Sequence, residues 1–214
     1  MVIGIIDYGM GNNGSIRNML RKAGAEEVVL ATTAADILSA SALILPGVGH
    51  FGRAMEELHT RDLVQPLCAA VQEKNTPLLG ICLGMQLLLE GSAEGDSEGL
   101  GWLRGRCHRI PAATVESPTL KVPHMGWNQV RITQPHPLFA DTLPEHRYYF
   151  VHSYHAVCAD AAEQLATTPY GIDLTAAIGR AQLLGVQFHP EKSHRYGLTL
   201  FQRWLSLVTP QVTR

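Results

Sequence analysis

An α/β fold, with a mainly parallel central sheet, helices on both faces and an antiparallel extension, is predicted by three features of this 214-residue chain. Short runs that are apolar throughout alternate with helix-period segments in the first half, as buried parallel strands and their crossover helices do. In the second half the strand-like segments lie closer together, which favours antiparallel neighbours. No internal repeat or linker interrupts the chain, so one domain spanning residues 1–214 is expected.

Taken in order, residues 2–6 read as a buried strand and residues 7–14 as a Gly- and Asn-rich loop. Residues 15–23 read as a helix with Ser15 as N-cap, ended by Gly24. Strands follow at 28–31 and 42–45, separated by a weak helix at 34–39. Helices at 51–58 and 62–74 lead to a strand at 78–81. Further strands are expected near 129–132, 146–155, 164–168, 175–179 and 183–187. A closing helix from about 196 to 207 carries Leu198, Phe201, Trp204 and Leu205 at helical spacing.

Composition narrows the class. Seventeen Lys and Arg against nineteen Asp and Glu give a net charge of −2, which makes no electrostatic case for nucleic acid or a membrane surface. No run approaches membrane-spanning length, and the first residues lack a secretory pattern. Cys68, Cys82, Cys107 and Cys158 show no C-x-x-C spacing, which fits reduced thiols in a cytoplasmic protein. The ten histidines form no metal-ligand pattern, so neither a metal nor another cofactor is expected.

The chemistry concentrates at Gly80-Ile81-Cys82-Leu83-Gly84-Met85-Gln86. An apolar strand meets a Cys with glycine two positions to either side, and a helix-forming run follows at once. This is the layout of a nucleophile elbow with Cys in place of Ser. A new helix would also aim its first N–H groups at the sulfur, which favours thiolate. Downstream, Leu184-Gly185-Val186-Gln187-Phe188-His189-Pro190-Glu191 is another strand ending in a His with a carboxylate two residues on. In extended chain those two side chains project from one side, so Glu191 reaches one imidazole nitrogen while the other faces the thiol. Cys82, His189 and Glu191 are therefore the expected nucleophile, general acid/base and orienting carboxylate.

The elbow and the Phe188-His189-Pro190-Glu191 corner resemble those of the class I, triad-type glutamine amidotransferases. Asp7-Tyr8-Gly9-Met10-Gly11-Asn12, Leu45-Pro46-Gly47-Val48-Gly49, Lys121-Val122-Pro123-His124-Met125-Gly126-Trp127-Asn128 and Tyr149-Phe150-Val151-His152-Ser153-Tyr154 narrow the resemblance to the glutaminase subunits of imidazole glycerol phosphate synthase. The resemblance runs nearly the full length. It implies hydrolysis of L-glutamine to glutamate and ammonia, and delivery of the ammonia to a cyclase subunit in a heterodimer of the histidine pathway.

Site residues carry over by motif position. Residues 46–49 alone read as a strand-to-loop turn. The resemblance makes Gly47, Val48 and Gly49 the oxyanion segment, with the N–H groups of Val48 and Leu83 as donors. Losing one such donor costs a barrier of about 3–4 kcal/mol. Gln86, Glu94 and the main chain of His152, Ser153 and Tyr154 are the implied contacts to the glutamine head group. Asn12, Met125, Trp127 and Lys192 are the implied partner-facing residues.

Two departures bear on the acceptor. The chain reads Asn13-Gly14-Ser15 where many histidine-pathway relatives have Leu-Arg-Ser, and it has His50 after Gly49 and Ser193-His194 at the corner. These features resemble a paralogous branch that feeds ammonia to a sugar amidotransferase in surface polysaccharide synthesis. A partner-free cysteine hydrolase of γ-glutamyl peptides is a further alternative. It would use the same elbow, but the compact chain has no extra substrate-binding segment.

Overall fold

A computed structural model describes residues 1–112, 120–141 and 145–209. Its centre is an eight-stranded sheet of β1 (Val2–Ile6), β2 (Glu27–Ala31), β3 (Ala42–Leu45), β4 (Leu78–Ile81), β9 (Arg131–Ile132), β12 (Gln164–Tyr170), β13 (Ile172–Arg180) and β14 (Leu183–Val186), in the order β2-β1-β3-β4-β14-β13-β12-β9. The first five in that order pair in parallel and the last three extend the sheet antiparallel, as expected. Two small sheets were not foreseen. One contains β11 (Tyr154–Cys158), β7 (Gly105–Arg109), β5 (Gly91–Ser92) and β6 (Ser97–Glu98); the other pairs β8 (His124–Gln129) with β10 (Arg147–His152).

Both faces of the central sheet are covered, which is why its inner parallel strands β1, β3, β4 and β14 carry no polar residue, while the edge strand β2 begins with the exposed Glu27. Ile44 points into one core with Ile16 and Leu20 of α1 (Asn13–Ala23) and Phe201 and Trp204 of α6 (His194–Val208). Its neighbours Leu43 and Leu45 point into the other, with Ile37 of α2 (Ala34–Ser39) and Phe51 and Leu58 of α3 (Phe51–Thr60).

Several elements depart from the sequence-based expectation for identifiable reasons. Helix α1 begins at Asn13, with Asn12 rather than Ser15 in the capping position and no side-chain cap. The segment at 62–74 is not one regular helix, and Asp62 at its start takes a positive φ of 55°. Helix α4 (Val64–Cys68) starts later and then widens into a π-helix over Ala69–Glu73. The buried stripe of α6 is Gly197, Leu200, Phe201, Trp204 and Leu205, leaving Leu198 half-buried. The expected strand at 146–155 is two strands in different sheets, and Ser153 lies at the break between them.

After β4 the helix-forming run yields only one turn, α5 (Leu83–Gln86). Leu88 and Leu89 N–H then donate to the carbonyls three residues back, at 3.2 and 3.1 Å. Packing explains both the tight corner and its glycines. A Cβ on Gly84 would sit 1.8 Å from the Leu45 carbonyl oxygen, and one on Gly80 would sit 2.7 Å from the Gly84 oxygen. Both obstacles are backbone and cannot swing aside. Gly84→Ala should therefore cost at least the upper end of the roughly 1–3 kcal/mol typical of overpacking, read as a fall in the denaturant midpoint.

Candidate active site

Cys82 stands between the end of β4 and α5 with φ 56° and ψ −110°, a positive-φ conformation sparsely populated outside glycine. Its N–H donates to the Val186 carbonyl at 2.8 Å, tying the corner to β14. The side chain is buried, with Sγ 3.9 Å from the Val151 carbonyl oxygen.

The downstream corner brings the other two expected residues to it. His189 lies in extended backbone, and Pro190–Lys192 form a 3-10 turn rather than the extended chain expected. The turn still delivers the carboxylate: His189 Nδ1 and Glu191 Oε1 are 2.8 Å apart, with both side chains almost wholly buried. His189 Nε2 is buried without a hydrogen-bond partner among the described residues. It is the nitrogen left for the thiol and a substrate. Burial disfavours the imidazolium and is the largest single influence. Cys82 and Glu191 together outweigh it and raise His189 to about 10.

These residues open on a cavity of about 270 Å³ lined by Cys82, His189 and nearly all the expected contact residues: Val48, Gly49, Leu83, Gln86, Glu94, His152, Ser153 and Tyr154. Pro123 and Val151 complete the wall. Gly47 lies behind it, where a Cβ would sit 2.7 Å from the Gly84 nitrogen, so its absence lets the expected oxyanion segment press against the elbow. The Val48 and Leu83 N–H groups donate to no backbone acceptor among the described residues.

Two expected contacts do more local work than the sequence indicated. The Phe51 N–H donates to Glu94 Oε2 at 2.8 Å, so Glu94 holds the first turn of α3 while lining the cavity. Gln86 is buried, and its Nε2 donates to the Tyr154 carbonyl and to Gln187 Oε1, both at 2.9 Å. Gln187 was missed by the sequence reading. Its Nε2 lies 3.7 Å from Cys82 Sγ, and its one sequence signal is an amide interrupting an apolar run two residues before His189.

Of the expected partner-facing residues, Met125 and Trp127 on β8 are 61% and 44% exposed. Trp127 stacks on His194 at 5.4 Å between centroids and meets the edge of Tyr149 at 6.2 Å. The Lys192 ammonium lies 5.9 Å from the Tyr149 ring, so these residues form one patch. Asn12 precedes α1, which packs beside the Pro190–Lys192 turn.

The mainly parallel sheet carries the cysteine corner and the His–Glu pair at its strand ends, the arrangement that the amidotransferase resemblance of the sequence calls for. The chain belongs to the class-I glutamine amidotransferase family, whose model matches residues 4–205. It is 45% identical over 209 residues to an imidazole glycerol phosphate synthase subunit HisH of Geobacillus thermodenitrificans, covering 97% of each chain. It is 42% identical over 205 residues to subunit HisH 2 of Methanococcus maripaludis, covering 95% of this chain and 98% of that one. The resemblance drawn from the sequence blocks is thereby borne out. A crystal structure of a glutamine amidotransferase superposes with a TM-score of 0.74 at 19% identity, covering 97% of this chain and 99% of that one, and so shares the fold.

The pairing of His189 with Glu191 makes a pH-dependent prediction. The folded state holds the His189 proton more tightly than the unfolded chain, whose histidines titrate near about 6.5. That stabilisation is complete below about 6.5 and is lost as the pH rises through about 10. NMR titration of the ring should find His189 protonated through neutrality, with its pKa lowered in Glu191→Gln. The stability difference between the two proteins should shrink as the pH rises toward that value.

Proposed function

We propose that this chain, acting as one domain, is the glutamine amidotransferase subunit of imidazole glycerol phosphate synthase. It hydrolyses L-glutamine and passes the ammonia to a cyclase subunit in histidine biosynthesis. The observation that carries the chemistry is the meeting of Cys82 and His189 on one cavity, with Glu191 held behind His189 and the glycine-flanked Val48 on the same lining. Full-length similarity to HisH subunits supports the pathway.

In this reading the Cys82 thiolate attacks the side-chain amide carbon of glutamine. The tetrahedral oxyanion lies against the Val48 and Leu83 N–H groups, whose lack of backbone acceptors suits them to it. His189, charged at neutral pH, donates its proton to the departing nitrogen, leaving a γ-glutamyl thioester and ammonia. Thioester formation removes the thiolate that helped raise His189. Its proton affinity falls as a result, and the same imidazole becomes the base that activates water. Hydrolysis then frees glutamate and restores Cys82.

The exposed patch of Met125, Trp127 and Lys192, with Asn12 nearby, is the proposed contact with the cyclase subunit. Trp is over-represented among residues that dominate interface energetics. His194, one of the departures from the common pattern, stacks on Trp127 within this patch. The identity of the partner is therefore the point at which the sugar-amidotransferase reading competes.

Three measurements test the proposal. Cys82→Ala should lower glutamine-dependent synthesis by at least about 10³-fold while leaving synthesis from added ammonia intact in the complex; retained glutamine-dependent activity refutes the nucleophile. Glutaminase activity should rise with a barrel-type cyclase and its phosphorylated ligand. A rise only with a sugar amidotransferase reassigns the pathway. Trp127→Ala should weaken subunit association by about 2 kcal/mol in calorimetry, with the melting temperature of the free chain nearly unchanged.

A further inference from the structure

The block at 122–128 contributes more than its exposed residues. Along β8 side chains alternate, so Met125 and Trp127 face outward while His124 and Asn128 face inward. His124 is buried, stacked on Phe150 at 4.7 Å between centroids and tilted against Tyr170 at 4.1 Å. Its Nδ1 lies 3.0 Å from His152 Nε2, and its Nε2 lies 3.2 Å from Asn128 Nδ2. His152 Nδ1 in turn lies 2.9 Å from the Tyr154 carbonyl oxygen.

The ends of this chain of contacts assign its protons. A carbonyl only accepts, so His152 Nδ1 carries hydrogen. The Asn128 amide is fixed because its Oδ1 accepts the Gln129 N–H and its Nδ2 donates to the Pro169 carbonyl, both at 2.8 Å. Nδ2 therefore donates to His124 Nε2, and His124 Nδ1 donates to His152 Nε2. Burial keeps both rings neutral. It lowers His152 to about 3, assisted by His124, His155 and His189, and lowers His124 to about 4. Every bond then runs in one direction, from Asn128 to the Tyr154 carbonyl, which Gln86 holds from its other side.

We propose that His124 and Asn128 are positioning residues for glutamine, fixing through the His152 tautomer the main chain at 152–154 that lines the cavity. The inference rests on reading that cavity as the glutamine site. Asn128→Asp replaces the donor with an acceptor and reverses the relay, which puts the His152 Nδ1 lone pair against the Tyr154 carbonyl. His124→Phe keeps the ring stacking and the Asn128–Pro169 bond but removes both nitrogens.

The experiment combines glutaminase kinetics of the full chain with its synthase subunit and long-range ¹⁵N NMR of the imidazoles. We expect Nδ1–H tautomers for His124 and His152 in the unmodified protein and loss of Nδ1–H at His152 in Asn128→Asp. Both variants should raise KM for glutamine about tenfold, with kcat within about threefold. A folded His124→Phe with unchanged KM overturns the proposal, as does an Nε2–H tautomer for His152 in the unmodified chain. If the unmodified protein turned over no glutamine, the reading of the site would fall, and the tautomer spectra would still decide the relay.

Discussion

The meeting of three glycines behind Cys82 is the constraint on which the site depends. Gly80 lies near the end of one strand, Gly84 in the turn of helix after it, and Gly47 just past another strand, yet a Cβ on any of them would fall within 2.7 Å of backbone. Their contact lets residues 47–49 and the elbow share one wall. It also holds Cys82 at a positive φ that costs of order 1–3 kcal/mol when unsupported. The support is the packed sheet beneath, joined directly through the Cys82 N–H and the Val186 carbonyl. The core thus serves the chemistry by over-determining one strained residue.

Much of this was legible in the sequence because the relevant signals are local. Apolar runs such as Ala42–Leu45 and Leu78–Ile81 announce buried parallel strands whatever they pack against. The elbow glycines and the His189–Glu191 spacing lie within a few residues of the groups they serve. The failures are non-local. Nothing in the stretch around Ser153 shows that β10 pairs with β8 while β11 pairs with β7. The run after Cys82 read as helix-forming, but at Leu87–Leu89 the side chains are drawn into the core around Phe51 and Trp102, and the helix yields to turns. Gln187 and His124 acquire roles only through partners far away in the chain.

Two buried histidines beside the cavity show how environment divides labour between identical side chains. His189 faces a carboxylate and a thiol, and their attraction exceeds the cost of burying its charge. His152 faces a carbonyl and another imidazole, so burial wins and it stays neutral; the His189 charge lowers it further. One cation is thereby placed beside the sulfur, and the neighbouring ring is left to act through its hydrogen-bonding direction.

The same contacts limit where the site can respond to a partner. His189 is locked to β10: its N–H donates to the Tyr149 carbonyl at 2.8 Å, and the Tyr149 N–H donates to Ser193 Oγ at 2.9 Å. Ser193 Oγ in turn donates to the His189 carbonyl at 2.6 Å. The Tyr149 ring belongs to the exposed patch with Trp127 and Lys192, so pressure on that face reaches a corner with little room to move. Cys82 is held as tightly by its glycines. The segment opposite differs: Val48 is 40% exposed, and a Cβ on Gly49 would meet only the end of the Met10 side chain. A switch needs an element with two accessible arrangements. Residues 48 and 49 are less tightly enclosed than the elbow or the His189 corner, so in the proposed reading a change there would alter oxyanion stabilisation while leaving the geometry of Cys82, His189 and Glu191 intact.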